Sequence, residues 1–211
     1  MNGLTASAVE ARQSQLVKPA RLRQQTLLFP SLVKRIETGR RLSVLEIGNA
    51  SPESVNFFSQ IKCRLHFAAM YEDPILQLQS GEHTEKELEK HLRKSLGFIK
   101  RARFDLCLFW DFPNYLDDKA LRAFNTVIGS HIHNKTRAHA FTVRTLDTSL
   151  SNQKYAVEQA HMFSIQARTG RQARTFPRTQ ATLLNTLSNF DIDQGMLLPD
   201  GRLEVLMSAS L

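Results

Sequence analysis

The sequence predicts an α/β fold built on a mostly parallel central sheet with helices on both faces. Three observations predict it. Short aliphatic runs alternate with helix-period segments along most of the chain, and strand–helix repetition of this kind builds parallel sheets. The first strand of that series, VLEIG at 44–48, ends at a glycine and leads straight into a helical pattern. The chain closes on two apolar runs around Pro199-Asp200-Gly201, a turn signal for an antiparallel hairpin. With 211 residues, 42% hydrophobic and 23% charged, one globular domain with a sizeable core is expected.

Residues 1–27 are polar or basic and rich in small side chains, and are expected to be a mobile arm. In FPSLVKRIETG, Phe29, Leu32, Val33 and Ile36 share one helical face, with Pro30 in the first turn and Gly39 at the C-terminal cap. RLSVLEIG is a buried strand, PESVNFFSQIK a helix opened by Pro52, and CRLHFAAM a second strand. Residues 82–101 form a helix with Leu88, Leu92, Leu96 and Ile99 on one face and charged pairs on the other. FDLCLFW is the next strand, and DDKALRAFNTVIGSHI a helix with Asp117 or Asp118 as N-cap. RAHAFTVRT is a further strand. Residues 147–177 carry little pattern beyond the strand-like HMFSIQA. RTQATLLNTLSNF is the last helix, and DIDQGMLLPDGRLEVLMSA the closing hairpin.

The formal net charge is +8 and is unevenly placed. Residues 1–41 hold eight basic side chains against Glu10 and Glu37. A second basic group, Arg168, Arg171, Arg174 and Arg178, has no acidic residue within it. Such asymmetry marks a candidate contact with anions or nucleic acid. No aromatic side chain interleaves the N-terminal cluster as a base-stacking platform requires. The apolar Leu27-Leu28-Phe29 beside that arm could dock on a protein partner or pack on the chain's own sheet, the commoner outcome. Cys63 and Cys107 lie in apolar runs without metal spacing, which suits buried thiols in a reducing, cytoplasmic setting. No run reaches the roughly 18 apolar residues of a membrane span, and the N-terminus has no apolar signal core. His131, His133 and His139 lack the further ligands a metal site needs. Walker, G-x-S-x-G and H-E-x-x-H motifs are missing from the sequence.

In an open sheet of this kind, ligands bind beyond the carboxyl ends of the strands. That position belongs here to the GNASPES and WDFPNYLDD turns. Three stretches in this order resemble a class I S-adenosylmethionine-dependent methyltransferase with a divergent first motif. VLEIG with its turn and helix is similar to the family's E/D-hydrophobic-G-x-G-x-G loop. FDLCLFWDFPNYLDD is similar to the family's fourth strand and the loop after it. RTFPRTQATLLNTLSNFDIDQGMLLPDGRLEVLMSA is similar to its closing helix and two strands. The resemblance covers residues 28–211 and implies one Rossmann-like methyltransferase domain.

It also implies S-adenosylmethionine as the cofactor and no metal. Glu46 and Gly48 match the first motif, Asn49 lies in its loop, and Ala50 and Pro52 stand where the second and third glycines fall. Glycine there gives positive φ and close approach, whereas proline fixes φ and removes an amide donor. The ribose acceptor expected after the second strand corresponds to Glu72. Trp110, Asp111 and Asn114 correspond to cofactor contacts, and Asp111 and Tyr115 are the candidate catalytic groups. The replaced glycines imply a methyltransferase-like protein with a degenerate loop, acting as a non-catalytic or weakly active binding or assembly subunit. Two alternatives stand beside this reading. One is an active methyltransferase with a divergent loop; the other is a nucleic-acid-associated protein using its basic arm.

Overall fold

The computed structural model describes residues 21–34, 40–78, 83–97, 102–145, 147–148, 150–170 and 173–211. Its central sheet has six strands: β2 (Leu42–Ile47), β3 (Cys63–Ala68), β4 (Leu106–Trp110), β5 (Arg137–Thr142), β8 (Phe190–Leu197) and β9 (Leu203–Ala209). They lie in the order β3-β2-β4-β5-β9-β8. β3, β2, β4 and β5 pair in parallel, while β9 runs antiparallel to both β5 and β8. This is the Rossmann-like methyltransferase architecture, with its closing antiparallel hairpin, that the resemblance implies.

β2 sits between β3 and β4 because it is apolar on both faces. Leu45 and Ile47 point to one side, Leu42 and Val44 to the other, and all four are buried. The Leu45 side is covered by α3 (Ile75–Leu78), α4 (Glu85–Ser95), α5 (Asp118–Gly129) and α6 (Gln180–Thr186). α4 turns Leu88 and Leu92 inward and starts at Thr84, whose hydroxyl and the Glu87 carboxylate cap each other's backbone amides. α5 starts at Asp117, which accepts from the Ala120 amide.

The Val44 side is covered differently. α1 (Phe29–Lys34) and α2 (Pro52–Ser59) share it with a second, antiparallel sheet of order β1-β7-β6, formed by β1 (Leu22–Gln25), β6 (Gln153–Gln159) and β7 (Met162–Ala167). Phe29, Tyr155, Val157, Phe163 and Ile165 from this layer pack on Val44, Leu106, Leu108, Trp110 and Phe141.

Three expectations are corrected. Of the arm placed at 1–27, residues 1–20 lie outside the described residues, and Leu22–Gln25 is instead a strand paired with Ile165–Met162 of β7. Of the apolar triplet, Leu28 and Phe29 pack in this chain's own core, the commoner of the two outcomes expected, and Leu27 is exposed. The weakly patterned 147–177 holds two strands rather than one. The last helix is Gln180–Thr186, shorter than 178–190, because Phe190 already belongs to β8. Gly39 and Ile36 of the first helix, and Ile99 of the fourth, lie outside the described residues. No helix among the described residues is long and apolar enough to cross a membrane.

Candidate functional site

The carboxyl ends of β2 and β3 open into a cleft of about 170 Å³, where the ligand crevice of an open sheet is expected. Gly48, Asn49, Ala50 and Glu72 line it, with Tyr71, Tyr155 and Arg168 on the opposite wall. The turn after β2 needs its single glycine. Gly48 has φ +138°, and its amide donates to the Ala68 carbonyl at 2.6 Å. Ser51 then caps α2, accepting from the Ser54 amide at 3.1 Å, and Pro52 sits in the first turn where its missing N–H costs nothing. Proline in the place of the third glycine therefore leaves the helix start intact.

Glu72 lies in a 3₁₀ turn after β3, exposed, with Oε1 accepting from Asn49 Nδ2 at 2.8 Å. The cleft suits the S-adenosyl group that the resemblance implies in three respects. Gly48 keeps the backbone open, since a Cβ there would meet nothing nearer than Tyr71 Cε2 at 3.9 Å. Glu72 offers a carboxylate to a ribose, steadied by Asn49. Lys154 supplies a cation at the cleft for a carboxylate on the ligand.

The other expected site residues lie behind this cleft, not on it. Glu46 is buried beneath α2, where Ser54 Oγ donates to its Oε1 at 3.0 Å. Burial pushes its carboxyl up to about 8, against the opposing help of Ser54 and of the Trp110 indole. Even so, Glu46 Oε2 and Trp110 Nε1 are outside hydrogen-bond geometry with any described residue. Trp110 is buried and stacks on Tyr155, with centroids 5.5 Å apart. It has φ +51°, a conformation rare for a bulky side chain and common where a functional turn is over-determined. Asn114 is consumed as a brace. Its Nδ2 donates to the Asp111 and Phe141 carbonyls at 2.9 and 2.7 Å, and its Oδ1 accepts from the Val143 amide at 3.0 Å.

Asp111 is fully buried at the base of a cluster that the sequence reading did not anticipate. Tyr71 Oη donates to its Oδ1 at 2.6 Å, and Tyr115 Oη to its Oδ2 at 3.0 Å. The Tyr155 hydroxyl is 3.4 Å from the same Oδ2 and 3.0 Å from Gln153 Oε1, and accepts from Arg202 Nη1 at 2.9 Å. Burial raises the Asp111 carboxyl, while Arg168 and the tyrosine hydroxyls pull it back. Burial and the Asp111 charge push the Tyr71 and Tyr115 phenols up, so both stay protonated donors. Asp111 and Tyr115 are thus together, as the sequence suggested, but Tyr71 and Tyr155 stand between them and the cleft. The signals for these partners were thin: Tyr71 directly follows the second strand, and Arg202 directly follows the Pro199-Asp200-Gly201 turn.

The arginine group does not form one patch. Arg168 faces the cleft. Arg178 is buried, donating to Asp118 Oδ1 at 2.8 Å and to the carbonyls of Pro113 and Phe176 at 3.2 and 3.0 Å. Arg174 is exposed beside Phe176, and Arg171 lies outside the described residues. Among the described residues, no three His, Cys, Asp or Glu side chains converge in a way that could hold a metal ion.

No protein-family model matches the chain, and neither does any curated protein. Solved structures with a similar trace include the glycopeptide N-methyltransferase MtfA complexed with S-adenosylmethionine. That likeness has 11% identity and a TM-score of 0.44, over 86% of this chain and 92% of that one. Another is the TehB-like methyltransferase of Corynebacterium glutamicum, with 8% identity, a TM-score of 0.45 and coverage of 86% and 87%. A third is the 1,6-didemethyltoxoflavin-N1-methyltransferase of Burkholderia thailandensis, with 14% identity, a TM-score of 0.42 and coverage of 86% and 77%. Likenesses this distant carry nothing about activity.

Proposed function

We propose that this is a methyltransferase-like protein that binds an S-adenosyl ligand in its cleft and does not transfer the methyl group. The observation that carries the reading is the closure of the Asp111 corner. In a working enzyme, S-adenosylmethionine would supply an electrophilic methyl, and the protein would supply orientation and, for an acceptor that must lose a proton, a base. Here the Asp111 carboxylate behind the cleft is fully buried and already takes hydrogen bonds from Tyr71 and Tyr115. An acceptor has no route to it without displacing Tyr71 or the Arg168 guanidinium that lies over the Tyr71 ring. The ligand-holding part is better preserved: Gly48 keeps the turn open, and Asn49 holds Glu72 at the cleft rim.

The runner-up, an active enzyme with a divergent loop, draws on one fact. Tyr71 is only partly buried and lines the cleft, so a ligand can touch this wall of the corner. Calorimetric titration with S-adenosylhomocysteine tests the binding half of the proposal. Saturable heat, abolished by Glu72→Ala, is expected. No heat and no thermal stabilisation at millimolar ligand would remove it.

A further inference from the structure

The inner wall of the cleft holds a cation of the protein's own. Arg168 Cζ lies 3.7 Å from the centroid of the Tyr71 ring and 5.2 Å from that of Tyr115. The two rings stand nearly perpendicular, at 78° with centroids 6.1 Å apart. Asp111 closes the base of this box, bonded to both hydroxyls. Two aromatic walls over a buried carboxylate are a recognition site for an organic cation.

Arg168 occupies the box imperfectly. Its Nε is buried with no hydrogen-bond partner among the described residues, a condition that native interiors rarely tolerate without a reason. The side chain comes from the loop just after β7, two residues before Gly170 at φ +112°, and it lines the cleft. Its head is therefore reachable from the cleft, while its backbone is held at Asn152, whose carbonyl accepts from the Arg168 amide at 2.7 Å. An alkylammonium group demands no hydrogen bond at the Nε position and offers methyl groups to both rings.

We propose that the Tyr71–Tyr115–Asp111 box is a binding site for an alkylammonium group, and that Arg168 is its built-in competitor. The site fills from the cleft when the guanidinium withdraws. It is distinct from the Glu72 end of the cleft and needs no nucleoside, so its test is independent of the S-adenosyl reading.

Tetramethylammonium is the probe. Trp110, the chain's single tryptophan, stacks on Tyr155 at the back of the corner and serves as a fluorescence reporter, checked by calorimetry. Arg168→Gln, which keeps length and removes charge, and Arg168→Ala should both bind tetramethylammonium at least tenfold more tightly than the parent chain. Adding Tyr71→Leu to either should cancel the gain. Sodium at equal ionic strength should give no response. Unchanged affinity in both folded Arg168 variants, or a gain that survives Tyr71→Leu, would overturn the proposal. If Arg168→Ala does not fold, the Gln variant alone decides it.

Discussion

The hydroxyl of Tyr71, on the turn after β3, donates to Oδ1 of Asp111, on the turn after β4, across 2.6 Å. The bond joins the ends of two strands separated in the sheet by β2. It also sets the inner limit of the cleft. Removing it in Tyr71→Phe leaves a buried carboxylate oxygen short of a donor, a loss of about 1–3 kcal/mol. The bond pulls the Asp111 carboxyl down, so its loss lets burial raise that group further. The expected penalty is therefore larger at pH 8 than under acidic conditions where Asp111 is protonated in both variants. Denaturant melts of the two proteins across pH check this.

Glu46 carries a second pH signature. Its carboxyl is pushed by burial to about 8, from an ordinary value of 4.5. A raised carboxyl holds its proton longer in the folded chain than in the unfolded one. Stability is then greatest below about 4.5 and falls as pH rises towards about 8, by an amount on the order of 4 kcal/mol. Glu46→Gln keeps the shape and removes the titration. Its melting temperature should exceed the parent's at pH 8, with little difference at pH 5. A parent chain equally stable at both values contradicts this account of Glu46.

Gly48→Ala separates backbone strain from crowding. A Cβ there meets only ordinary contact with Tyr71 at 3.9 Å, but φ is +138°. The expected cost is conformational, about 1–3 kcal/mol, and is measured by chemical denaturation. S-adenosylhomocysteine affinity should fall as well, because relaxing φ swings Asn49, and with it Glu72, out of place.

Arg178 tests the nucleic-acid reading from within the fold. Its guanidinium serves the buried carbonyls of Pro113 and Leu116 as well as Asp118. Arg178→Ala should cost about 1–3 kcal/mol of stability and leave the salt dependence of any nucleic-acid binding unchanged, since a buried side chain releases no counterions. A reduced salt slope in a folded Arg178 variant would contradict its structural role.

The parts of this molecule legible in the sequence are those whose signal is local. β4 (LCLFW) is buried on both faces and reads as an unbroken apolar run, and the buried β2 (LSVLEI) is apolar but for Ser43 and Glu46. Asp117 announces α5 by its capping chemistry. Strand β1, with the sequence LRQQ and mostly exposed, has no pattern to read, because it is the edge of a small sheet covered on one side only. The corner around Asp111 was illegible for another reason. Tyr71, Tyr115, Tyr155, Arg168 and Arg202 come from five separate segments, and only the stacking of the second sheet on the first brings them together. Position along the chain identified Asp111. Burial and partners decide what it can do.

The central claim is that the cleft holds an S-adenosyl ligand while the Asp111 corner stays closed to an acceptor. Equilibrium dialysis with S-adenosylmethionine labelled in the transferable methyl, in the presence of a metabolite and macromolecule extract, tests both halves at once. The account predicts saturable retention of label in the micromolar to sub-millimolar range, with the label recovered as intact S-adenosylmethionine. Label appearing on any acceptor in proportion to protein, and lost in Asp111→Asn, would contradict the closed corner. Absence of retention at millimolar ligand would contradict the cleft.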